Sequence, residues 1–194
     1  MTLHRMTLVA ITLLAAVTAT VWAQSTADGQ SRNEIARQQV RVAIGDSGTH
    51  FVTEQETSWR IVTRDTLVLL IDSTLRVVRV ALDGQRTTSW GRTGAKLVIP
   101  HSRSPGDTLV TRVRFHGVPS EHNWFALPRD ASDTTPLVLI VEVPAGSQPV
   151  TDVVAEQVDT LGYARTSWRF RFTAPVALRT LRLTVVPAAP SNRP

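Results

Sequence analysis

Few residues in this chain stand in an arrangement that could do chemistry, and Ser47 is the first of them. The segment VRVAIGDSGT, Val40 to Thr49, is an apolar run ending in Gly-Asp-Ser, which can present a serine hydroxyl as a nucleophile at a strand end. Such a serine needs a base to take its proton, and the base needs a group to orient it. No histidine follows His122, and the only one before Ser47 is His4 in the leader. The Gly45-Asp46-Ser47-Gly48 sequence reads instead as a turn.

His50, His101, His116 and His122 never fall at metal-ligand spacing on one strand or helix. The longest irregular stretch, Gly117 to Asp133, gathers Glu121, His122, Trp124, Phe125 and Asp130. Loops of this length commonly carry function, so these five form the candidate ligand-binding set. His116 and His122 could meet Asp130 across the loop, and three such groups suffice for zinc. Nothing in the sequence makes them converge, so no metal, cofactor or catalytic residue is expected. Trp124 and Phe125 could form an exposed aromatic platform, although such a pair at a sandwich edge more often plugs the core. Trp168, Phe170 and Phe172 alternate along one run and are expected to be core.

Positioning these residues falls to β-structure. No stretch shows sustained helical spacing, and many short runs of Val, Leu, Ile, Thr and aromatics are punctuated by Gly, Pro and Asp. Strands are predicted at Val40 to Ile44, Phe51 to Val62, Leu67 to Ile71, Leu75 to Leu82, Arg86 to Trp90 and Lys96 to Ile99. Others follow at Leu109 to His116, Leu137 to Val143, Val150 to Val158, Thr166 to Thr173 and Leu181 to Val185. Leu67 to Ile71 is continuously apolar, as in a strand covered on both faces. Leu109, Thr111, Val113 and Phe115 alternate with Val110, Arg112, Arg114 and His116, so one surface of that strand is buried and the other wet. Asp83-Gly84 is a hairpin signal. The fold class is therefore all-β, a sandwich of about ten to eleven mainly antiparallel strands.

An n-region with His4 and Arg5 precedes an apolar run from Met6 to Val21 without acidic residues, and small Ala23 marks a cleavage point. That order is a secretion signal, and a periplasmic or secreted location follows; an uncleaved signal would be the sole membrane attachment. Residues 1–23 are thus expected to be a signal peptide, 24–36 a disordered leader, 37–186 the sandwich and 187–194 a proline-rich tail. The chain has no cysteine, which excludes disulfides and thiolate metal sites. Its net charge of +5 rests on arginines scattered along strands, with Lys96 the single lysine. A nucleic-acid face would need a basic patch with stacking aromatics, so no nucleic-acid partner is expected.

Several segments in this order resemble the N-terminal domain of the M1 family of zinc aminopeptidases, a saddle-shaped β-sandwich that precedes the catalytic domain. They are LVLLIDSTLRVVRVALDG at Leu67 to Gly84, KLVIPHSRSPGDTLVTRVRFHGVP at Lys96 to Pro119 and NWFALPRDASD at Asn123 to Asp133. LVLIVEVPAG at Leu137 to Gly146 and TSWRFRF at Thr166 to Phe172 complete the series. The family's activity resides in a later domain with a Gly-x-Met-Glu-Asn loop and a His-Glu-x-x-His zinc helix. Neither motif occurs here, and the chain is read as ending where that domain would start. The family's N-terminal domain also lends the active site a residue that anchors the substrate amine, but Glu121 lies too close to Trp124 to inherit that role. GDSL-class esterases share the Gly-Asp-Ser but use an alternating αβ pattern and a late Asp-x-x-His, both absent here.

The leading expectation is an exported, non-catalytic β-sandwich serving as a binding or accessory module, whose partner would be a protein or peptide. One alternative is the non-catalytic subunit of a partnered zinc metallopeptidase. The other is a peptide- or sugar-binding sandwich with a concave aromatic site near Trp124.

Overall fold

In the computed structural model, residues 33–63, 66–119, 124–128, 134–162, 164–177 and 181–187 are described. The expected signal, most of the leader, most of the tail, and Glu121, His122 and Asp130 lie outside them. The described residues hold fourteen strands and no helix. β1 (Glu34–Ile44), β2 (Phe51–Arg60), β4 (Arg76–Leu82), β5 (Gln85–Thr87), β8 (Thr108–Gly117), β10 (Thr134–Pro144), β12 (Gln157–Leu161) and β13 (Arg165–Ala177) form one eight-stranded sheet. Its order is β12-β13-β10-β1-β2-β8-β4-β5. A four-stranded sheet is built from β3 (Leu67–Leu70), β6 (Gly91–Thr93), β7 (Lys96–Ile99) and β9 (Leu127–Pro128), in the order β6-β7-β3-β9. β11 (Ser147–Val150) and β14 (Thr184–Pro187) make a separate ribbon. All ladders are antiparallel except β1 with β10, which run parallel at the centre of the large sheet.

Period-two burial is clearest on β2, where Phe51, Thr53, Gln55, Thr57 and Trp59 point inward and the residues between them lie half-buried on the other face. The register carries that face across the sheet: Val40 stands opposite Gln55 and Leu139, Val42 opposite Thr53 and Val141, and Phe115 opposite Thr53. Leu67, Leu69, Leu97 and Ile99 of the small sheet close over it, and all join one buried cluster. Each fully buried aliphatic or aromatic side chain there contributes about 1.5–3 kcal/mol. The Asp83-Gly84 hairpin forms as the dipeptide dictates, with φ of 49° and 81° at the two central residues.

The structure departs from the sequence expectations in places. β1 starts at Glu34, before the expected Arg37, and Asn33 is already buried, its Oδ1 accepting from the backbone N–H groups of Val62 and Thr63. Pro187, assigned to the tail, ends β14. Val150 to Val158 is two strands rather than one, because the chain leaves β11 at Val150 and re-enters the large sheet at Gln157. Arg86 to Trp90 is likewise cut: β5 stops at Thr87, and the next strand belongs to the other sheet. On β3, Leu67 and Leu69 are buried while Val68 and Leu70 are half-covered, so the apolar run has one core face rather than two.

Candidate functional site

The Gly45–Gly48 segment is a turn. Gly48 takes a left-handed φ of 72° and its N–H donates to the Gly45 carbonyl at 2.9 Å. The Ser47 hydroxyl lies 3.0 Å from that of Thr49 and has no imidazole partner among the described residues. Asp46 sits 3.8 Å from Arg165, whose guanidinium also donates to the carbonyls of Ile44 and Glu142 at 2.7 and 3.0 Å. Arg165 thus caps the C-terminal ends of the parallel pair, and Asp46 pairs with it. The serine stands in a structural corner.

His50 and His116 meet with ring centroids 5.6 Å apart, and His101 accepts a hydrogen bond from the Arg103 N–H at 3.3 Å. Among the described residues, no group of three or more His, Asp or Glu side chains is placed to hold a metal ion. Trp124 and Phe125 are only 8% and 3% exposed. Trp124 stacks on Phe51 at 4.4 Å with the ring planes 7° apart, and Gln55 bonds both the N–H and the carbonyl of Ala126. The segment is sewn into the core, so these aromatics offer no platform to a ligand in solvent.

Two surface features went unread in the sequence. The first is apolar. Of the seven large hydrophobic side chains exposed to solvent among the described residues, five belong to β11, β12, β14 and the loop before β12: Val150, Val154, Val158, Leu161 and Val186. Val154 is 91% exposed. β12 forms one edge of the large sheet, and all five of its residues are exposed. Val150, Val154, Val158 and Leu161 are four, four and three residues apart, a helical interval rather than a strand's period of two, so periodicity could not show them as an exposed strand edge.

The second is electrostatic. The outer face of the large sheet is rich in arginine, and carboxylates from adjoining strands and from the loop before β12 neutralise part of it. Arg112 reaches Glu56 at 2.5 Å and Glu54 at 3.7 Å, Arg41 reaches Glu142 at 3.5 Å, and Glu156 lies 3.2 Å from Arg171 and 3.7 Å from Arg169. Exposed pairs of this kind add little stability, about 0.2–1 kcal/mol each, but they fix which arginines remain without a counter-charge. Alternation correctly sent these arginines to solvent; the pairing depends on register and lay beyond it.

An all-β sandwich with a buried aromatic segment crossing its core and an ion-paired outer face is the class that fold and surface define. No family model and no curated protein matches the sequence. Among solved structures, the chain is similar to a two-domain M1 zinc metallopeptidase bound to L-arginine, with a TM-score of 0.68 and 20% identity. It is also similar to an M1 zinc metallopeptidase from Deinococcus radiodurans, bound to the substrate Tyr-Ser-Ala (TM-score 0.65, 19% identity) or without it (TM-score 0.64, 19% identity). Each match covers 82% of this chain and 43% of the other, so the chain spans less than half the length of these structures. Its fold is that of the N-terminal β-domain of M1 zinc metallopeptidases.

Proposed function

We propose that this chain is an exported, non-catalytic β-sandwich module whose task is to bind a protein partner. The observation that carries the reading is β12, an edge without a further strand partner among the described residues, with Val158 and Leu161 exposed on it, Val154 exposed just before it, and Val150 and Val186 exposed on the β11–β14 ribbon. An open edge offers main-chain hydrogen bonds, and the valines offer apolar surface whose burial favours association.

The narrower reading makes the partner a separate chain that carries a zinc peptidase domain. Its support is the likeness of this fold to part of chains described as M1 zinc metallopeptidases. The ligand-binding reading centred on Trp124 has no comparable support, because that ring is stacked in the core.

Affinity capture from an envelope fraction tests the reading, with the full chain and a Val154→Asp/Val158→Asp variant as baits. A partner retained by the first and lost by the second is expected, and zinc content and aminopeptidase activity are measured on both baits and on the recovered material. Zinc and activity found only in the recovered material support the peptidase partner. Zinc-dependent peptidase activity from the purified chain alone would overturn the proposal, and so would a partner captured equally by both baits.

A further inference from the structure

Three of the arginines left without a counter-charge among the described residues are gathered in one place. A cleft of about 390 Å³ opens on the outer face of the large sheet, lined by Val52, Val78, Arg79, Arg86, Arg114 and His116. That volume falls within the range of small-ligand sites, roughly 300–1,000 Å³. The three guanidinium groups come from β4, β5 and β8, and none has a carboxylate partner among the described residues. Glu54, opposite Arg114 on β2, pairs with Arg112 instead.

Register makes the grouping costly. Arg79 stands directly across the β4–β8 ladder from Arg114, and Arg76 directly across from His116. Like charges in directly opposed positions destabilise a sheet. The strand bulges between Val77 and Arg79, which leaves Val78 40% exposed as one wall of the cleft. A second depression of about 180 Å³ adjoins the first, shares Val78, Arg79 and Arg86, and runs toward Trp90.

We propose that this cleft binds a phosphate group. Three guanidinium forks from three strands line it, and that number of donors suits a tetrahedral, multiply charged oxyanion better than a planar carboxylate that one fork satisfies. The bound anion would offset the Arg79–Arg114 repulsion, and the adjoining depression would hold part of the molecule that bears the phosphate. The proposal is independent of the partner-binding reading, since it concerns strands at the opposite edge of the sheet.

The test uses the full chain and inorganic phosphate at constant ionic strength, balanced with chloride. Phosphate is expected to raise the melting temperature of the wild type and to give a saturable calorimetric isotherm. Arg79→Gln and Arg114→Gln are each expected to bind about tenfold more weakly and, in phosphate-free buffer, to melt no lower than the wild type. Arg41→Gln removes the same charge from the same face, at a site already paired with Glu142, and is expected to bind phosphate as the wild type does. Absence of a wild-type response, or an equal response from all three variants, overturns the proposal. Flotation with phosphatidylglycerol and phosphatidylcholine vesicles separates the sources. Phosphatidylglycerol binding that inorganic phosphate displaces and Arg79→Gln abolishes supports a lipid headgroup; phosphate binding without vesicle binding supports a soluble phosphate compound. Vesicle binding that survives both the competitor and the substitution counts against the cleft.

Discussion

The carboxamide of Gln55 clasps the peptide of Ala126 at both ends, accepting its N–H at 2.9 Å and donating to its carbonyl at 2.8 Å. The two residues are 71 positions apart, and the clasp is buried. It anchors the segment that places Trp124 on Phe51. Gln55→Ala would leave a buried N–H and a buried carbonyl unpaired, at a cost of about 1–3 kcal/mol for each. Urea unfolding should therefore show a large fall in midpoint, with Trp124 fluorescence shifting to the red earlier than the rest of the signal.

Asp83 gives the protein part of its acid sensitivity. Partial burial by itself raises the pKa of this carboxyl, but the Val110 N–H and the Arg103 guanidinium together outweigh it and hold the group below its ordinary value of 3.8. The stability linked to Asp83 is therefore complete above the unfolded value and is lost as pH falls through the lower folded one. Asp83→Asn keeps the left-handed turn, since Asn tolerates positive φ. The variant should be less stable than the wild type near neutrality and show a shallower decline between about pH 5 and pH 2, as followed by chemical denaturation across that range.

Arg92 acts as a staple between the small sheet and the entry to β4. Its guanidinium donates to the carbonyls of Leu75, Asp72 and Gly94, the last two at 2.8 and 3.0 Å. Arg92→Ala should cost about 2–3 kcal/mol in a denaturant titration, because half-buried carbonyls lose a charged donor. Arg92→Lys should recover little of it, as an ammonium cannot span three acceptors that a planar fork reaches.

Gly117 ends β8 with φ of 144°, and a Cβ there would sit 3.2 Å from both the Thr74 carbonyl oxygen and Leu75 Cδ2. The Thr74 hydroxyl also donates to the Val118 carbonyl at 2.7 Å, so the two segments cannot readily separate. Gly117→Ala should destabilise by about 1–3 kcal/mol, which a thermal melt can detect. Gly146→Ala, where nothing lies within 4 Å despite a φ of 83°, isolates the backbone share of that cost.

Where pattern and burial coincide, the sequence was legible. Alternation on β8 correctly placed Leu109, Val113 and Phe115 inside and Arg112 and Arg114 outside. β2 is harder: between Val52 and Trp59 its residues are Thr, Glu, Gln, Glu, Thr and Ser, all polar. Only the shared parity of Phe51 and Trp59 shows which of them face inward, and nothing local reveals that Gln55 faces a peptide it can satisfy. The parallel β1–β10 register and the meeting of Arg79, Arg86 and Arg114 are properties of non-local pairing, to which hydropathy is blind. The loop residues that drew attention first proved informative in another way. Trp124 and Phe125 stand out because they fill the core, and Ser47 because a tight corner needs small polar groups.

The central place of β1 has a consequence for how the chain comes together. Its antiparallel neighbour β2 follows almost at once, but its parallel neighbour β10 begins at Thr134, and the register of Gln38 with Leu137 pairs residues about a hundred positions apart. A growing chain therefore holds one flank of its middle strand open until most of the polypeptide is present. Any fragment that stops short of β10 would display the Val40 and Val42 ladder as a sticky, untemplated border. Safe passage through that interval calls for a holding factor or for delayed folding, and truncations from the C-terminal side should aggregate rather than yield a smaller sandwich.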